Sequence, residues 1–469
     1  MTDPLEALPP EFPDDLSDAI RAAIDASGRK LIALDDDPTG VQTVFDTVVL
    51  SQWDVADLAA ELLDPRPVCF VLTNTRSHPE ADAVALTREI ATNLLEASRQ
   101  TSKPFVIASR SDSTLRGHFP AETDALTGVL GDIDGLLLVP AFFEGGRYTI
   151  DDTHWVRDGE RLVPAAETEF ARDATFGYTH SRLPAWVEEK SRGRWSAADV
   201  QSLSISDIRQ GGPDRVAAIL DGTADGQPLV VNAASYQDLN VVVLGVLRAE
   251  AGGKRFVYRT GAGFVRARAG LIERPLLSRA DLVGPDAASP LPGLVIVGSH
   301  VARSTEQLRR LLAVPGVAAI TLDVPALLNA ATRDNEIRRV VAGADEALAR
   351  GVSPVVATSR VVHEAATTGN QLDISRTVSR ALVEVVSRID GRLGWIVAKG
   401  GITASYIGTQ ALRARRAIVL GQIQAGVPVW QLGPETRYPN LPYVIFPGNV
   451  GGPATLAEVV QQLQGEPAD

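Results

Sequence analysis

Short apolar runs, each closed by Gly, Asp, Ser or Thr and followed by a longer stretch of helical periodicity, recur along most of this chain. In the first half, Lys30–Leu34, Thr47–Leu50, Val68–Thr73, Pro104–Ser109, Gly135–Val139 and Leu229–Asn232 read as strands, with Glu80–Gln100 as the clearest helix between them. From Phe143 to about Asp214 the rhythm breaks into polar, irregular sequence with several aromatics, the pattern of an elaborated insertion near a site. Gly284–Gly293, with Pro285, Pro290 and Pro292 among small residues, reads as a linker. Beyond it, strands are expected at Leu294–Gly298, Val317–Leu322, Pro354–Thr358, Leu393–Ala398, Val427–Leu432 and Tyr443–Phe446, and helices near Ser304–Leu312, Glu336–Arg350 and Leu372–Ile389. In the last helix Ile374, Val378, Leu382 and Val385 share one face. Ser304 and Gln307 have the spacing of a capping box.

Strands alternating with helices imply parallel sheets covered by helices. The expectation is an α/β protein of two domains, residues 28–283 and 293–466, with largely parallel sheets facing each other across a cleft. The 469 residues and 45% hydrophobic content suffice for two real cores. A single cysteine, Cys69, sits inside an apolar run and reads as a buried thiol in a reducing compartment. Met1–Phe12 carries Asp3, Glu6 and Glu11 and no basic stretch, unlike a secretory signal, and no apolar run approaches the ~20 residues of a membrane span. A net charge of −13 disfavours a nucleic-acid surface. The chain is expected to be cytoplasmic, with neither membrane nor nucleic acid as a partner.

The candidate chemistry lies at strand ends, where α/β enzymes keep theirs. Lys30–Leu34 runs into Asp35-Asp36-Asp37-Pro38-Thr39-Gly40. Alternation along a strand places Asp35 and Asp37 on one side and Asp36 on the other. Three crowded carboxylates either cap the turn and meet water or hold substrate hydroxyls, a proton or a magnesium ion. Ser109-Arg110-Ser111-Asp112-Ser113-Thr114-Leu115-Arg116-Gly117 follows another strand, and Thr73-Asn74-Thr75-Arg76-Ser77 a third. Arginine clamps a carboxylate through paired hydrogen bonds, while Ser, Thr and Asp read hydroxyls. The same loops in isolation would ordinarily only satisfy backbone groups.

The second half instead offers glycine turns: Val297-Gly298-Ser299-His300, Ala398-Lys399-Gly400-Gly401-Ile402-Thr403 and Phe446-Pro447-Gly448-Asn449-Val450-Gly451-Gly452. Such turns bring backbone N–H groups close to phosphate oxygens, or simply adopt positive φ. No Walker A motif occurs, and Gly261-Ala262-Gly263 lacks the third glycine of a dinucleotide fingerprint. None of the six histidines has a second at metal-ligand spacing; His118 and His154 stand out by lying beside the polar loops.

Asp36–Gly40 resembles the D-D-F-T-G signature of the four-carbon acid sugar kinases, Asp112–Gly117 their D-S-T-L-R-G signature, and Pro447–Gly451 their S-G-N-F-G signature. Gly298-Ser299 and Gly400–Thr403 are similar to that family's G-S and G-G-E-T-S turns. The resemblance spans nearly the whole chain, in order. It implies an N-terminal sugar-acid-binding domain, a C-terminal nucleotide-binding domain, and ATP-dependent phosphorylation of a small acid such as threonate, erythronate, a 3-oxo form of these, or 3-oxo-isoapionate. It further implies that Arg76, Ser113, Thr114 and Arg116, with Asp35 and Arg147, hold the acid, and that Asp37, or else Asp112 or Asp36, is the base. ATP would be seated by Ser299, Lys399, Gly400, Gly401, Ile402, Thr403, Gly448, Asn449 and Gly451, with Lys399 neutralising phosphate and Mg²⁺ bridging the phosphates. A homodimer is admitted. Pro38 departs from the signature Phe, Ile402 from its Glu and Ala404 from its Ser; Asp35 and the stretch Gly146–His154 look like subgroup features. The rival readings are a sugar-acid sensor without turnover and a metal-dependent lyase or aldolase.

Overall fold

The structure, a computed structural model, describes residues 4–283, 291–298, 302–359, 368–448 and 450–465. It divides into two compact units, Met1–Glu273 and Arg274–Asp469, each α/β. Most of the proposed linker lies outside the described residues. Leu277 and Leu282, which precede it, belong to the second unit's core with Val295, Trp395, Val444 and Leu456.

In the first unit the strands are β1 (Lys30–Asp35), β2 (Thr47–Leu50), β3 (Val68–Leu72), β4 (Phe105–Arg110), β5 (Gly135–Val139), β6 (Arg147–Ile150), β7 (Thr153–Asp158), β8 (Arg161–Pro164), β9 (Gln201–Leu203), β10 (Gln227–Val231) and β11 (Phe256–Thr260). Eight of them form a sheet in the order β2-β3-β1-β4-β11-β5-β10-β9, with every neighbouring pair parallel. β1, β2, β3 and β5 are buried along their whole length, as expected of a parallel sheet covered on both faces. The helix Glu80–Thr101 buries Ala83, Thr87, Ile90, Ala91, Leu94 and Ala97, a single stripe, and ends at Ser102 in the left-handed region.

Two elements differ from expectation. β11 inserts between β4 and β5 in the middle of the sheet, although Lys254, Arg255 and Arg259 interrupt its apolar pattern. The Phe143–Asp214 insertion is more regular than its composition suggests: β6, β7 and β8 form an antiparallel meander, and β9 joins the main sheet as its edge.

The second unit contributes β12 (Leu294–Val297), β13 (Val317–Leu322), β14 (Ser353–Thr358), β15 (Ile396–Lys399), β16 (Arg416–Gln424), β17 (Val427–Leu432) and β18 (Pro442–Phe446). Their order is β13-β14-β12-β15-β18-β17-β16. The first five are parallel, and β17 and β16 continue antiparallel. β16 alternates between half-buried and buried positions over nine residues, so one face only meets the core.

The Ser304–Gln307 capping box does not form. The helix begins earlier, at Ala302, and both side chains are fully buried. Ser304 Oγ donates to the Gly448 carbonyl at 3.1 Å, and Gln307 Nε2 donates to the Val450 and Gly452 carbonyls at 3.0 and 2.8 Å. The pair therefore holds the glycine-rich turn after β18 rather than its own helix end. Gln307→Leu, similar in volume, should leave two turn carbonyls without this donor and lower the thermal midpoint through roughly 1–3 kcal/mol of lost stability; an unchanged melt would show that the turn does not depend on it.

Candidate functional site

Asp35, the last residue of β1, lies opposite Leu72 of β3 and Arg110 of β4, and Arg110 lies opposite Thr260 of β11. This register brings the loops after β1, β3 and β4 out side by side at the carboxyl edge of one parallel sheet, where such sheets bind ligands.

Asp35 is buried and pairs with Arg110 at 3.2 Å; the same guanidinium stands 3.9 Å from Asp36. The expected alternation thus fails, because the strand stops at Asp35 and Asp36 and Asp37 belong to a bend. Gly40 folds back over Asp35, so that a Cβ there would fall 2.0 Å from Asp35 Oδ2. Burial pushes the Asp35 carboxyl up to about 8 even beside Arg110. Asp36 accepts a hydrogen bond from Ser111 Oγ. Asp37 accepts from the Thr39 N–H at 2.8 Å and from the Thr39 hydroxyl, and it pairs with Arg76. Burial alone would raise Asp37, but Arg76 and the Thr39 bonds outweigh it and hold the carboxyl below its ordinary range.

Arg76 also stands 3.5 Å from Asp112. Asp112 accepts from Thr114 Oγ1 and from Arg116 Nε, the latter at 2.6 Å. It too stays well below the usual carboxylate range, its burial outweighed by Arg76 and Arg116. The guanidinium groups of Arg116 and Arg147 lie over the Phe170 ring at 5.1 and 5.7 Å from its centre, and Arg116 reaches Asp173 at 3.6 Å. Asp37, Arg76, Asp112, Arg116, Phe170 and Arg147 thus form one continuous line of alternating acid and cation, closed by a ring that two cations share.

The Ser111–Gly117 loop is fixed from beneath. His154, fully buried on β7, donates through Nε2 to the Ser113 carbonyl at 2.7 Å, while Nδ1 faces Thr149 Oγ1 at 3.1 Å. Burial drives this imidazole down to about 4, with nearby Arg147 acting in the same direction, so it is neutral. Tyr178 OH donates to the Thr114 carbonyl at 2.8 Å, and Arg259 Nη2 to the Arg116 carbonyl at 3.1 Å. Gly117 has φ +119°, and a Cβ on it would lie 2.6 Å from Ser111 Oγ. His118 Nε2 sits 3.1 and 3.0 Å from the Thr75 and His78 carbonyls, tying the loop after β3.

All nine first-unit residues expected at the site therefore lie within this cluster, though Asp35 forms its floor. Arg110, quoted within the Ser109–Gly117 loop, was given no role, and Arg259 was not anticipated; Arg110 ends β4 opposite Asp35 and Arg259 is the penultimate residue of β11, a position near a strand end that is the signal that could have found them. Phe170 and Asp173, on and after a short 3₁₀ turn of the insertion, carried none.

In the second unit Val297, Lys399 and Phe446 are in register on three adjacent parallel strands, so the glycine turns after β12, β15 and β18 emerge together. Ser299 and Asn449 lie outside the described residues, as do His300 and His363. Gly400, at φ +114°, donates its N–H to the Phe446 carbonyl at 2.8 Å. Thr403 packs against Gly298, where a Cβ would come within 2.3 Å of Thr403 Oγ1. Gly401 opens the helix Gly401–Tyr406, and Ile402 beside it is 56% exposed. Gly451 has φ +78°, and the N–H of Gly452 donates to Thr455 Oγ1 at 2.9 Å. Lys399 is turned inward: fully buried over the Phe446 ring, it donates to the Pro447 and Gly448 carbonyls. Burial, with Arg303 nearby, brings its ammonium down to about 7.

Residues 31–268 match a family described as "Sugar-binding N-terminal domain", and residues 294–456 one described as "Nucleotide-binding C-terminal domain". The chain belongs to the four-carbon acid sugar kinase family. Among relatives, it is 26% identical over 336 residues to a D-erythronate kinase of Heliobacterium modesticaldum, covering 71% of this chain and 69% of that one. To a D-threonate kinase of Bordetella bronchiseptica it is 27% identical over 444 residues, 92% and 96% of the two chains. A 3-oxo-isoapionate kinase of Paraburkholderia graminis matches at 28% over 250 residues, 47% of this chain and 52% of the relative. The fold is shared with a Salmonella typhimurium LT2 protein described as a tRNA synthase, at TM-score 0.66 and 18% identity over 93% of this chain and 98% of that one. A Haemophilus influenzae protein has TM-score 0.62 and 19% identity over 92% and 100%. Among the described residues, no helix is long and apolar enough to cross a membrane, and no group of three or more His, Cys, Asp or Glu side chains is placed to hold a metal ion.

Two outcomes follow for this kinase-family site. Gly117→Ala should destabilise the first unit by several kcal/mol, because the added Cβ meets both a positive φ and the Ser111 hydroxyl; a melt within a degree of wild type would contradict the tight loop. Because His154 binds its proton less tightly folded, at about 4, than unfolded, at about 6.5, its contribution to stability is lost as pH falls through that window, on the order of 3 kcal/mol. His154→Gln, which keeps a donor for Ser113, should therefore show a smaller difference between thermal midpoints at pH 4.5 and 7.5 than wild type.

Proposed function

We propose that this protein transfers the γ-phosphoryl group of ATP to a hydroxyl of a small sugar acid, a tetronate, a 3-oxo-tetronate or a close relative such as 3-oxo-isoapionate. The acid binds the first unit, and ATP binds the glycine turns of the second. The observation that carries this reading is the line of acids and arginines at the carboxyl edge of the first sheet, within a chain whose two halves match a sugar-binding and a nucleotide-binding family.

In the proposed chemistry Arg116 and Arg147, which share Phe170, clamp the substrate carboxylate. Ser113 and Thr114 read its hydroxyls. Asp37, 20% exposed and held by Arg76 and Thr39, takes the hydroxyl proton as the oxygen attacks phosphorus. Its depressed affinity for protons keeps it ionised and available at neutral pH. Asp35, covered by Gly40 and paired with Arg110, forms the floor beneath these groups. In the second unit the backbone N–H groups around Gly401, Gly448 and Gly451 would face phosphate oxygens. Lys399 acts through the turn it holds from below rather than on phosphate directly. Mg²⁺ would enter with the ATP phosphates and supply charge neutralisation; the described residues offer it no ligand cluster of their own.

The direct test is a screen of four- and five-carbon sugar acids with ATP and Mg²⁺, followed by ADP release. ADP formed in proportion to an added acid is the expected result, and tight acid binding without turnover would favour a sensor. Arg116→Ala should raise KM for the acid at least roughly tenfold while the KM for ATP hardly moves, as expected for a group that clamps the ground and transition states alike. Asp37→Asn should fold and bind both substrates but lose ~10²–10⁴ in kcat. Near-normal single-turnover transfer in that variant would move the base to Asp112 or Asp36.

A further inference from the structure

We propose that Glu144 is a positioning residue for the sugar-acid site, fixing the turn that aims Arg147; the functional part of this proposal rests on the reading of Arg147 as a carboxylate ligand. Glu144 stands in the loop between β5 and β6, outside every sequence signature. Its Oε1 accepts a hydrogen bond from Tyr236 OH at 2.8 Å and one from Arg266 Nη1 at 3.1 Å. Arg266 in turn lies over the Tyr236 ring, 4.0 Å from its centre, and is itself largely buried. The neighbouring Phe143 packs edge-on against Tyr236 at 5.1 Å and against Tyr148 at 5.8 Å. Two consecutive side chains of the loop are thereby tied to the same tyrosine at the start of the helix Tyr236–Ala251.

The tie passes to Arg147 through backbone. Phe142 and Arg147 exchange N–H to carbonyl hydrogen bonds at 3.2 and 2.9 Å, closing the turn, and the Gly146 N–H donates to the Phe143 carbonyl at 2.8 Å. Gly145 and Gly146 admit no substituent: a Cβ on Gly145 would lie 2.4 Å from the Phe142 ring and 2.9 Å from Arg147 Nη1, and Gly146 has φ +75°. Arg147 folds back so that Nη1 donates to the Gly145 carbonyl, the acceptor immediately after Glu144. In the proposal, holding the Glu144 carboxylate steadies the peptide that carries that carbonyl.

Arg147 needs such an anchor. Its guanidinium shares the Phe170 ring with Arg116, a second cation, and its Nε is buried without a partner. Repulsion and desolvation both favour its leaving. The external clamp by Tyr236 and Arg266 opposes this, keeping two guanidiniums together before the anion that joins them arrives, which is preorganisation of the binding site.

Two arms test the proposal on the full-length protein. In a crystal structure of Glu144→Ala beside wild type, the Arg147 guanidinium should leave the Gly145 carbonyl and the Phe170 ring; an unmoved Arg147 overturns the positioning role whatever the kinetics. With D-threonate and D-erythronate as probes, Glu144→Ala should raise KM for the acid roughly tenfold with kcat and the KM for ATP within about twofold. Glu144→Gln, which retains an acceptor for Tyr236, should recover most of the loss. In an Arg147→Ala background the Glu144→Ala effect should vanish, because a residue acting only through Arg147 has nothing left to position; an undiminished effect there also overturns the proposal. If Arg147→Ala alone leaves the acid's KM unchanged, the carboxylate-ligand reading fails instead, and the crystallographic arm still decides the positioning. Should Glu144→Ala not fold, Tyr236→Phe removes one of the two bonds with little change in shape and carries the same outcomes.

Discussion

An acid placed at the last position of a wholly buried parallel strand must be matched by its neighbours in the sheet, because water cannot reach it. In this chain the match is Arg110, set opposite Asp35 by the register of β1 and β4. The remainder of the first-unit site depends on that pairing. It fixes where β1 ends, it forces Gly40 to fold over the carboxyl without a side chain, and it leaves Asp36 and Asp37 to the bend, the first buried against Ser111 and the second paired with Arg76. Loss of either partner would leave an uncompensated buried charge, which is far more costly than never having had the pair.

The two units apply one construction to opposite chemistry. Both gather loops at the carboxyl ends of adjacent parallel strands. The first fills those ends with charges that satisfy one another, and the second with glycines whose carbonyls are held from behind. Ser304, Gln307 and Lys399 all donate to carbonyls of the Pro447–Gly452 turn. With those carbonyls held from behind, a phosphate in the proposed reading would meet N–H groups of this turn other than that of Gly452, which Thr455 Oγ1 takes. A lysine used this way is a framework element, although in sequence it cannot be told from one that reaches a ligand.

What could be read in advance follows from the same physics. The strands with apolar runs, β1, β3, β5, β12 and β18, were legible because burial on both faces keeps their central residues apolar. β11 was missed for the opposite reason: Arg259, its penultimate residue, lies in the cluster, and its charge disguises a central strand. β16 alternates, as a one-faced strand does, but glycine and glutamine blur the period. The signatures brought these loops to attention and His154 stood out beside them, yet Tyr178 and Phe170 did not, since they act across separations of roughly fifty to sixty residues that only the folded chain closes. Alternation predicted the facing of the Asp trio wrongly because it presumed that the strand continues through a residue whose ion pair ends it.

Charge balance bears on what the site accepts. Arg76, Arg110, Arg116, Arg147 and Arg259 stand against Asp35, Asp36, Asp37, Asp112, Asp173 and Glu122. Arg76 lies between Asp37 and Asp112, whereas Arg116 and Arg147 share the Phe170 ring. In the proposed reading a substrate carboxylate bound there would pair with both guanidiniums. A neutral polyol of the same size would desolvate a guanidinium and leave it unpaired, a penalty that hydroxyl hydrogen bonds only partly offset. Selection for an acid over a neutral sugar would in this way rest on two guanidiniums held side by side over one ring.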